Sequence, residues 1–206
     1  TVTTNKLAWA VKQFNSNVTV IPNALPFGEG QFTDDKIPSD KFRIGFVGGA
    51  SHLWDLLSIK NLFIKLARSP LRHKIEMVLC GYDGRNEETK KLWDKVERIV
   101  NADGKLSYTR RSSRPLESYM SHYEDLDLTL APLENNYFNS FKSPLKIVES
   151  GCKNIPIITS LNPPRWFEDM NHIMKADSIS EWCYHIERCV EDFDLARKYG
   201  IQVGDL

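Results

Sequence analysis

Short apolar runs alternate with helix-patterned segments along this chain at least five times, which leaves few folds open to it. The apolar runs predict strands over 41–47, 75–80, 106–109, 126–130 and 155–159. Helices are predicted over 55–67, 87–100 and 115–123, from Ser143-Pro144 to Gly151, and over 179–190 and 193–199. Short strands without a polar face belong to a parallel sheet covered on both sides, joined by right-handed crossovers. The expected fold class is therefore α/β: a Rossmann-like parallel sheet flanked by helices. In such a sheet ligands gather at the carboxyl ends of the strands. Residues 48–52, Gly81-Tyr82, 109–114 and 132–143 fall there and are expected to converge on one cleft. Ahead of the first long strand the pattern reads as a helix over 7–14, a β-branched strand over 18–23 that ends at Pro22, and a loop over 23–40.

Composition excludes several classes. Lys and Arg number 27 against 27 Asp and Glu, so no basic footprint argues for nucleic acid. No apolar run approaches the roughly 20 residues of a membrane span. The four cysteines, Cys80, Cys152, Cys183 and Cys189, lack metal-ligand spacing and lie in or beside apolar segments. That placement predicts buried free thiols in a reducing, cytoplasmic setting, with no metal. The chain opens in mid-pattern at Thr1-Val2-Thr3-Thr4, so the sequence is expected to be part of a longer protein.

Residues 138–160 carry the densest pattern. Ser143 reads as an N-cap and Pro144 as the first helical residue. Leu145, Val148 and Cys152 recur at helical spacing and are expected to face the core, and Gly151 is placed to end the helix. Lys146 and Glu149, three apart, share another face. A helix start with free N–H groups, the Ser143 hydroxyl, Lys142 and Lys146 can receive a phosphate group. Glu149, two turns up, can accept hydrogen bonds from a sugar diol. For an isolated pair at this spacing, a surface ion pair is the better reading.

Taken together, Ala131-Pro132-Leu133, Asn135 to Phe138-Asn139, Lys142-Ser143-Pro144-Leu145-Lys146-Ile147-Val148-Glu149, Gly151 and Ile155 to Ser160 resemble the donor-binding signature of GT-B glycosyltransferases. The likeness is to the group 1 (GT4-like) class, in the branch with an F-N-x-x-K-S-x-x-K-x-x-E pattern. About a dozen residue types agree in order. The resemblance implies a C-terminal donor-binding domain over 23–206, with 1–22 as the helix and strand leading from a missing N-terminal domain. It implies that Glu149 binds the ribose hydroxyls of a UDP- or GDP-sugar, while Lys142, Ser143 and Lys146 face its diphosphate. The implied reaction is sugar transfer with retention, without a metal or other cofactor, in polysaccharide or glycan synthesis. The acceptor, a glycan or lipid-linked sugar, would be reached through the missing half. That half would also make any membrane contact, and the present chain alone would be inactive.

Other candidates are less specific. Gly48, Gly49 and Ser51 can let the backbone approach a phosphate or can simply form a tight turn, and alone the two readings are even. Arg110, Arg111 and Arg114 can hold a diphosphate or frame a base, though at least two of them read better as exposed charge. Tyr82 can stack on a ring or merely pack. His52 lies at the cleft mouth, where a lone histidine is usually solvated. Pro163-Pro164 with Arg165 and Trp166 reads as a stiff loop without chemistry.

Two departures from the family pattern stand out. Phe141 occupies the position of the first acid of the family's E-x7-E motif. The basic pair that many members carry after the glycine loop is replaced by His52-Leu53-Trp54-Asp55, with no base nearby before Lys60. Phe141 keeps open a non-catalytic nucleotide or sugar-nucleotide binding module. A Rossmann-type oxidoreductase is the other alternative, disfavoured because G-x-G-x-x-G is missing after the first strand and no acid ends the next one.

Overall fold

The computed structural model describes residues 1–161 and 173–205, so the stretch with Pro163, Pro164, Arg165 and Trp166 lies outside the described residues. Six strands form one parallel sheet in the order β3-β2-β1-β4-β5-β6. They are β1 (Phe42–Val47), β2 (Ile75–Tyr82), β3 (Tyr108–Ser112), β4 (Leu128–Ala131), β5 (Ile157–Ser160) and β6 (Met174–Ala176). The chain builds outward from β1 to β3, then returns to lay β4 against the other edge of β1, with Ile44 opposite Leu128. The strand order therefore reverses between β1 and β4, the place where open α/β sheets form a ligand crevice.

Among the described residues the α-helices are α1 (Asn5–Val11), α2 (Leu53–Ser58), α3 (Lys60–Arg68), α4 (Glu87–Val100), α5 (Leu145–Cys152), α6 (Ile179–Glu191) and α7 (Phe193–Gly204). One face of the sheet packs Phe46, Met77 and Leu79 against Leu56, Phe63, Leu66, Trp93 and Ile186. The other packs Val47, Val78 and Cys80 with Met120, Tyr123, Leu126 and Cys152. Burial on both faces explains why the central strands carry no polar side. The expected capping of α6 is present: Ser178 and Glu181 form a reciprocal capping box.

Several predicted elements differ. Of the strand expected over 18–23, only an isolated bridge between Val20 and Val2 forms. The helix expected over 55–67 breaks at Ile59, where the Ser58 hydroxyl bonds the Asp55 carbonyl at 2.6 Å and competes with the backbone ladder. Leu116–His122 is a 3₁₀ run rather than an α-helix. The strand β3 starts later than predicted, since Leu106 is buried in the preceding turn. Gly81 does not stop β2. It takes φ +107°, and a Cβ there would lie 2.6 Å from the Gly48 carbonyl oxygen, so glycine lets the strand continue past the β1 loop.

Helix α5 begins one residue later than expected, with Pro144 at the N-cap position and no side-chain cap. Leu145 and Val148 are only half-buried, and the inward face is Ile147, Ser150, Gly151 and Cys152. Gly151 does not end the helix. It lets α5 approach α7, since a Cβ on it would sit 2.8 Å from the Val203 carbonyl oxygen. Gly200 of α7 is tighter still, with a Cβ position 2.0 Å from the Asn154 carbonyl oxygen. Ala at a helix interior normally gains about 1 kcal/mol over Gly. Here the backbone clash reverses the sign, and Gly200→Ala should lower stability by about 2 kcal/mol in urea unfolding. An unchanged or raised midpoint would show that the two helices can separate freely.

Candidate functional site

The loops after β1 and β4 meet at the switch point. After β1 the chain turns through Gly48 and Gly49 into a 3₁₀ turn, Ala50–His52, and then α2. The Gly48 N–H is tied to the Cys80 carbonyl at 3.0 Å, while a Cβ on Gly49 would meet nothing closer than Ser51 Oγ at 3.8 Å. The backbone at Gly49 is thus open to approach, and Ser51 is exposed beside it. After β4, the segment from Pro132 leads into α5. Between the two lies a pocket of about 70 Å³ whose polar lining is His52, Lys142, Ser143, Lys146 and Thr159. Thr159 Oγ1 is buried there without a hydrogen-bond partner among the described residues. The Ser143 hydroxyl accepts from Asn23 Nδ2 at 2.6 Å and keeps its own proton to donate.

A larger hollow of about 870 Å³ lies at the opposite edge of the sheet, lined by Phe42, Asp127, Pro156 and α7. It sits under the amino ends of β1, β4 and β5, away from the strand ends where such sheets bind ligands. The smaller pocket is therefore the candidate.

Asp55, which no motif in the sequence singles out, holds the pocket residues His52 and Lys142 in place. It is 4% exposed, and its Oδ1 accepts from the Glu134 N–H and from Asn139 Nδ2, both at 2.8 Å. Its Oδ2 pairs with His52 Nδ1 at 2.8 Å and Lys142 Nζ at 3.3 Å. Burial works to raise the Asp55 pKa, but the hydrogen bonds from His52 and Glu134 and the Lys142 charge together hold it below the usual carboxylate range. One carboxylate thus ties the glycine loop to the loop before α5 across the switch point. Asn139 is buried for the same reason, with its amide also bonding the Glu134 carbonyl at 2.9 Å. His52 is correspondingly paired through Nδ1.

Glu149 is likewise buried, at 4% exposure, rather than displayed on a helix surface. Its Oε2 accepts from the Tyr123 hydroxyl at 2.5 Å and from Lys146 Nζ at 3.1 Å, with the Tyr119 hydroxyl at 3.4 Å. Lys146 Nζ also donates to Tyr119 at 2.9 Å. Burial works against the Lys146 charge, but Glu149 and Tyr119 override it and hold the pKa above the usual lysine value. Glu149 Oε1 has no partner among the described residues and is not sealed from solvent. One oxygen anchors the side chain and the other is left to accept. A Tyr pair four apart was the sequence signal for this cluster, but nothing in the pattern tied it to Glu149.

Tyr82 and Arg110 do not join the pocket. The Arg110 guanidinium lies 4.1 Å over the Tyr82 ring and pairs with Glu97 at 3.1 Å, on the β2–β3 side of the sheet. Arg111 makes two hydrogen bonds to Asp125, at 2.7 and 2.5 Å. Among the described residues, no group of three or more His, Cys, Asp or Glu could hold a metal ion, and no helix is long and apolar enough to cross a membrane.

No family model matches this chain, and no curated protein matches it by sequence. Solved structures do. TarM superposes with a TM-score of 0.67 at 14% identity, over 99% of this chain and 39% of that one. The trehalose-6-phosphate synthase OtsA gives 0.61 at 12% identity, over 91% and 47%. Anabaena Alr3699/HepE in complex with UDP-glucose gives 0.60 at 17% identity, over 91% and 51%. These neighbours are GT-B glycosyltransferases, and at such identities the likeness establishes the fold. The chain has the Rossmann-like architecture of a GT-B glycosyltransferase domain, and it spans about two-fifths to one half of the neighbours' lengths.

Proposed function

We propose that this chain is the donor-binding domain of a glycosyltransferase, seating the nucleoside diphosphate of a UDP- or GDP-sugar between β1 and β4. The convergence of Lys142, Ser143 and Lys146 on one pocket at the switch point carries this reading. Glu149, beyond them on α5, supports it with an Oε1 that has no partner among the described residues and suits ribose hydroxyls. In this reading the lysines and the open N–H groups at the start of α5 stabilise the charge that grows on the leaving diphosphate. The groups are held before the ligand arrives, so little reorganisation is needed at the moment of transfer. Acceptor contacts would come from residues outside this chain, and transfer with retention is the stereochemistry that the group 1 likeness suggests. The UDP found with TarM of S. aureus and the UDP-glucose found with HepE belong to those proteins, and they favour a uridine donor here.

A second reading, a binding module without turnover, has one observation in its favour. Phe141 stands where the sugar-side carboxylate is expected, and its ring packs edge-on against Tyr137 with centroids 4.8 Å apart.

Replacing Lys142 and Lys146 together by Ala tests donor binding. Charge-assisted contacts to phosphate are worth about 1.5–3 kcal/mol each. Titration calorimetry should show UDP affinity falling at least tenfold while uridine affinity barely moves. Equal losses for uridine and UDP would place the lysines elsewhere.

A further inference from the structure

We infer that His52 is a proton-coupled ligand of the donor diphosphate, positioned by Asp55. The inference rests on the donor-site reading above and adds to it how that site is regulated by protons. The His52 ring lines the pocket beside Lys142 and Lys146 and stands edge-on to Phe46, with centroids 5.7 Å apart. Its Nδ1 lies 2.8 Å from Asp55 Oδ2. A carboxylate can only accept, so Nδ1 carries a hydrogen whether the ring is neutral or charged. That leaves Nε2, which has no partner among the described residues and is not buried.

In the neutral ring Nε2 is a lone pair. A phosphate oxygen is also an acceptor, so the two repel. Once Nε2 gains a proton it becomes a charged donor, and the same contact turns into a charge-assisted hydrogen bond. A diphosphate placed in the pocket therefore selects the imidazolium, and a proton enters from solvent with the ligand.

Charged groups face the ring from the elements packed against it. Asp55 favours the charged ring from α2, but its carboxylate is shared with Lys142 Nζ and two N–H donors. Lys142, ahead of α5, and Lys146, on α5, oppose a further positive charge in the same pocket. Thr159, on β5, is neutral. Two added phosphate groups reverse that balance. The sign follows from linkage: the bound ligand raises the affinity of Nε2 for its proton. The contribution to binding is then lost as pH rises and the bound ring gives up its proton.

Calorimetry of UDP at one pH, about 7.5, in buffers of different ionisation enthalpy counts the protons taken up. The ligand's own phosphate titrates identically in wild type and variant, so the difference between them isolates the ring. Wild type should take up a fraction of a proton more than His52→Asn, and UDP should bind the variant about tenfold more weakly. UDP affinity should also fall with rising pH in wild type more steeply than in the variant. His52→Gln, which offers a neutral donor that cannot titrate, should regain part of the affinity with none of the uptake, and it replaces Asn if that variant does not fold. Equal uptake in wild type and both variants would overturn the inference while leaving the donor site intact. If UDP does not bind the wild-type chain at all, the donor-site reading fails and this inference with it.

Discussion

Glu149→Ala should lower both stability and nucleotide affinity, and the two losses should be separable. The carboxylate is the acceptor for a buried tyrosine hydroxyl and the counter-charge of Lys146. Removing it takes away the 2.5 Å acceptor of Tyr123 Oη and leaves Lys146 with the Tyr119 hydroxyl. Breaking a buried charged pair costs about 3–5 kcal/mol, and the half-exposed lysine lowers this to about 3 kcal/mol. Affinity for UDP and GDP should fall alike by about 1.5–3 kcal/mol, one to two decades, because the ribose is common to both. Tyr123→Phe removes the anchor and keeps the carboxylate, so it should cost stability but little affinity. Glu149→Gln keeps an acceptor and should recover part of each. Urea unfolding and calorimetry on the three variants check this. Unchanged affinity in Glu149→Ala, measured where that variant is folded, would remove the carboxylate from the site.

Acid should destabilise the fold through His122 before it reaches the paired carboxylates. This side chain is 1% exposed, and neither ring nitrogen has a partner among the described residues. Burial, followed by the charges of Arg114, Arg111 and Lys146, pushes its pKa down from 6.5 to about 4. A base with a lowered folded pKa binds its proton first in the unfolded chain. Its contribution is complete above pH 6.5 and is lost as pH falls toward 4. The full span corresponds to about 3 kcal/mol. The hydrogen-bonded carboxylates of Asp55, Glu76 and Asp125 have lowered values and give way only in stronger acid. His122→Phe keeps an aromatic ring edge-on to Tyr119 and removes the titration. Between neutral pH and about pH 4.5 its urea midpoint should fall much less than that of wild type. Parallel declines would mean that His122 reaches solvent in the folded state.

The sheet was most legible where the pattern is purely hydrophobic. β1, β2 and α4 stand within a residue or two of their predicted bounds because their side chains are sorted by burial alone. β3 was misplaced because Leu106, the apolar residue expected to open it, is buried in the turn ahead of it. β6 has three residues, too few to show a period. At the site, the lysines and Ser143 could be read because they stand together in one motif. Asp55, Tyr119 and Tyr123 could not, since each matters only through contacts that the fold creates. The same limit explains why the burial of Glu149 was not legible. Helical spacing predicts its neighbour Lys146, but the tyrosines that cover it come from the 3₁₀ segment and the residue after it, on the far side of β4 in sequence.

A crystal structure of this chain soaked with UDP would locate the nucleotide. The diphosphate should lie between the Gly48–Gly49 turn and the start of α5, within reach of Lys142, Ser143 and Lys146, with the ribose at Glu149 Oε1. Nucleotide density in the hollow beneath the amino ends of β1 and β4, or no bound nucleotide at saturating UDP, would contradict it.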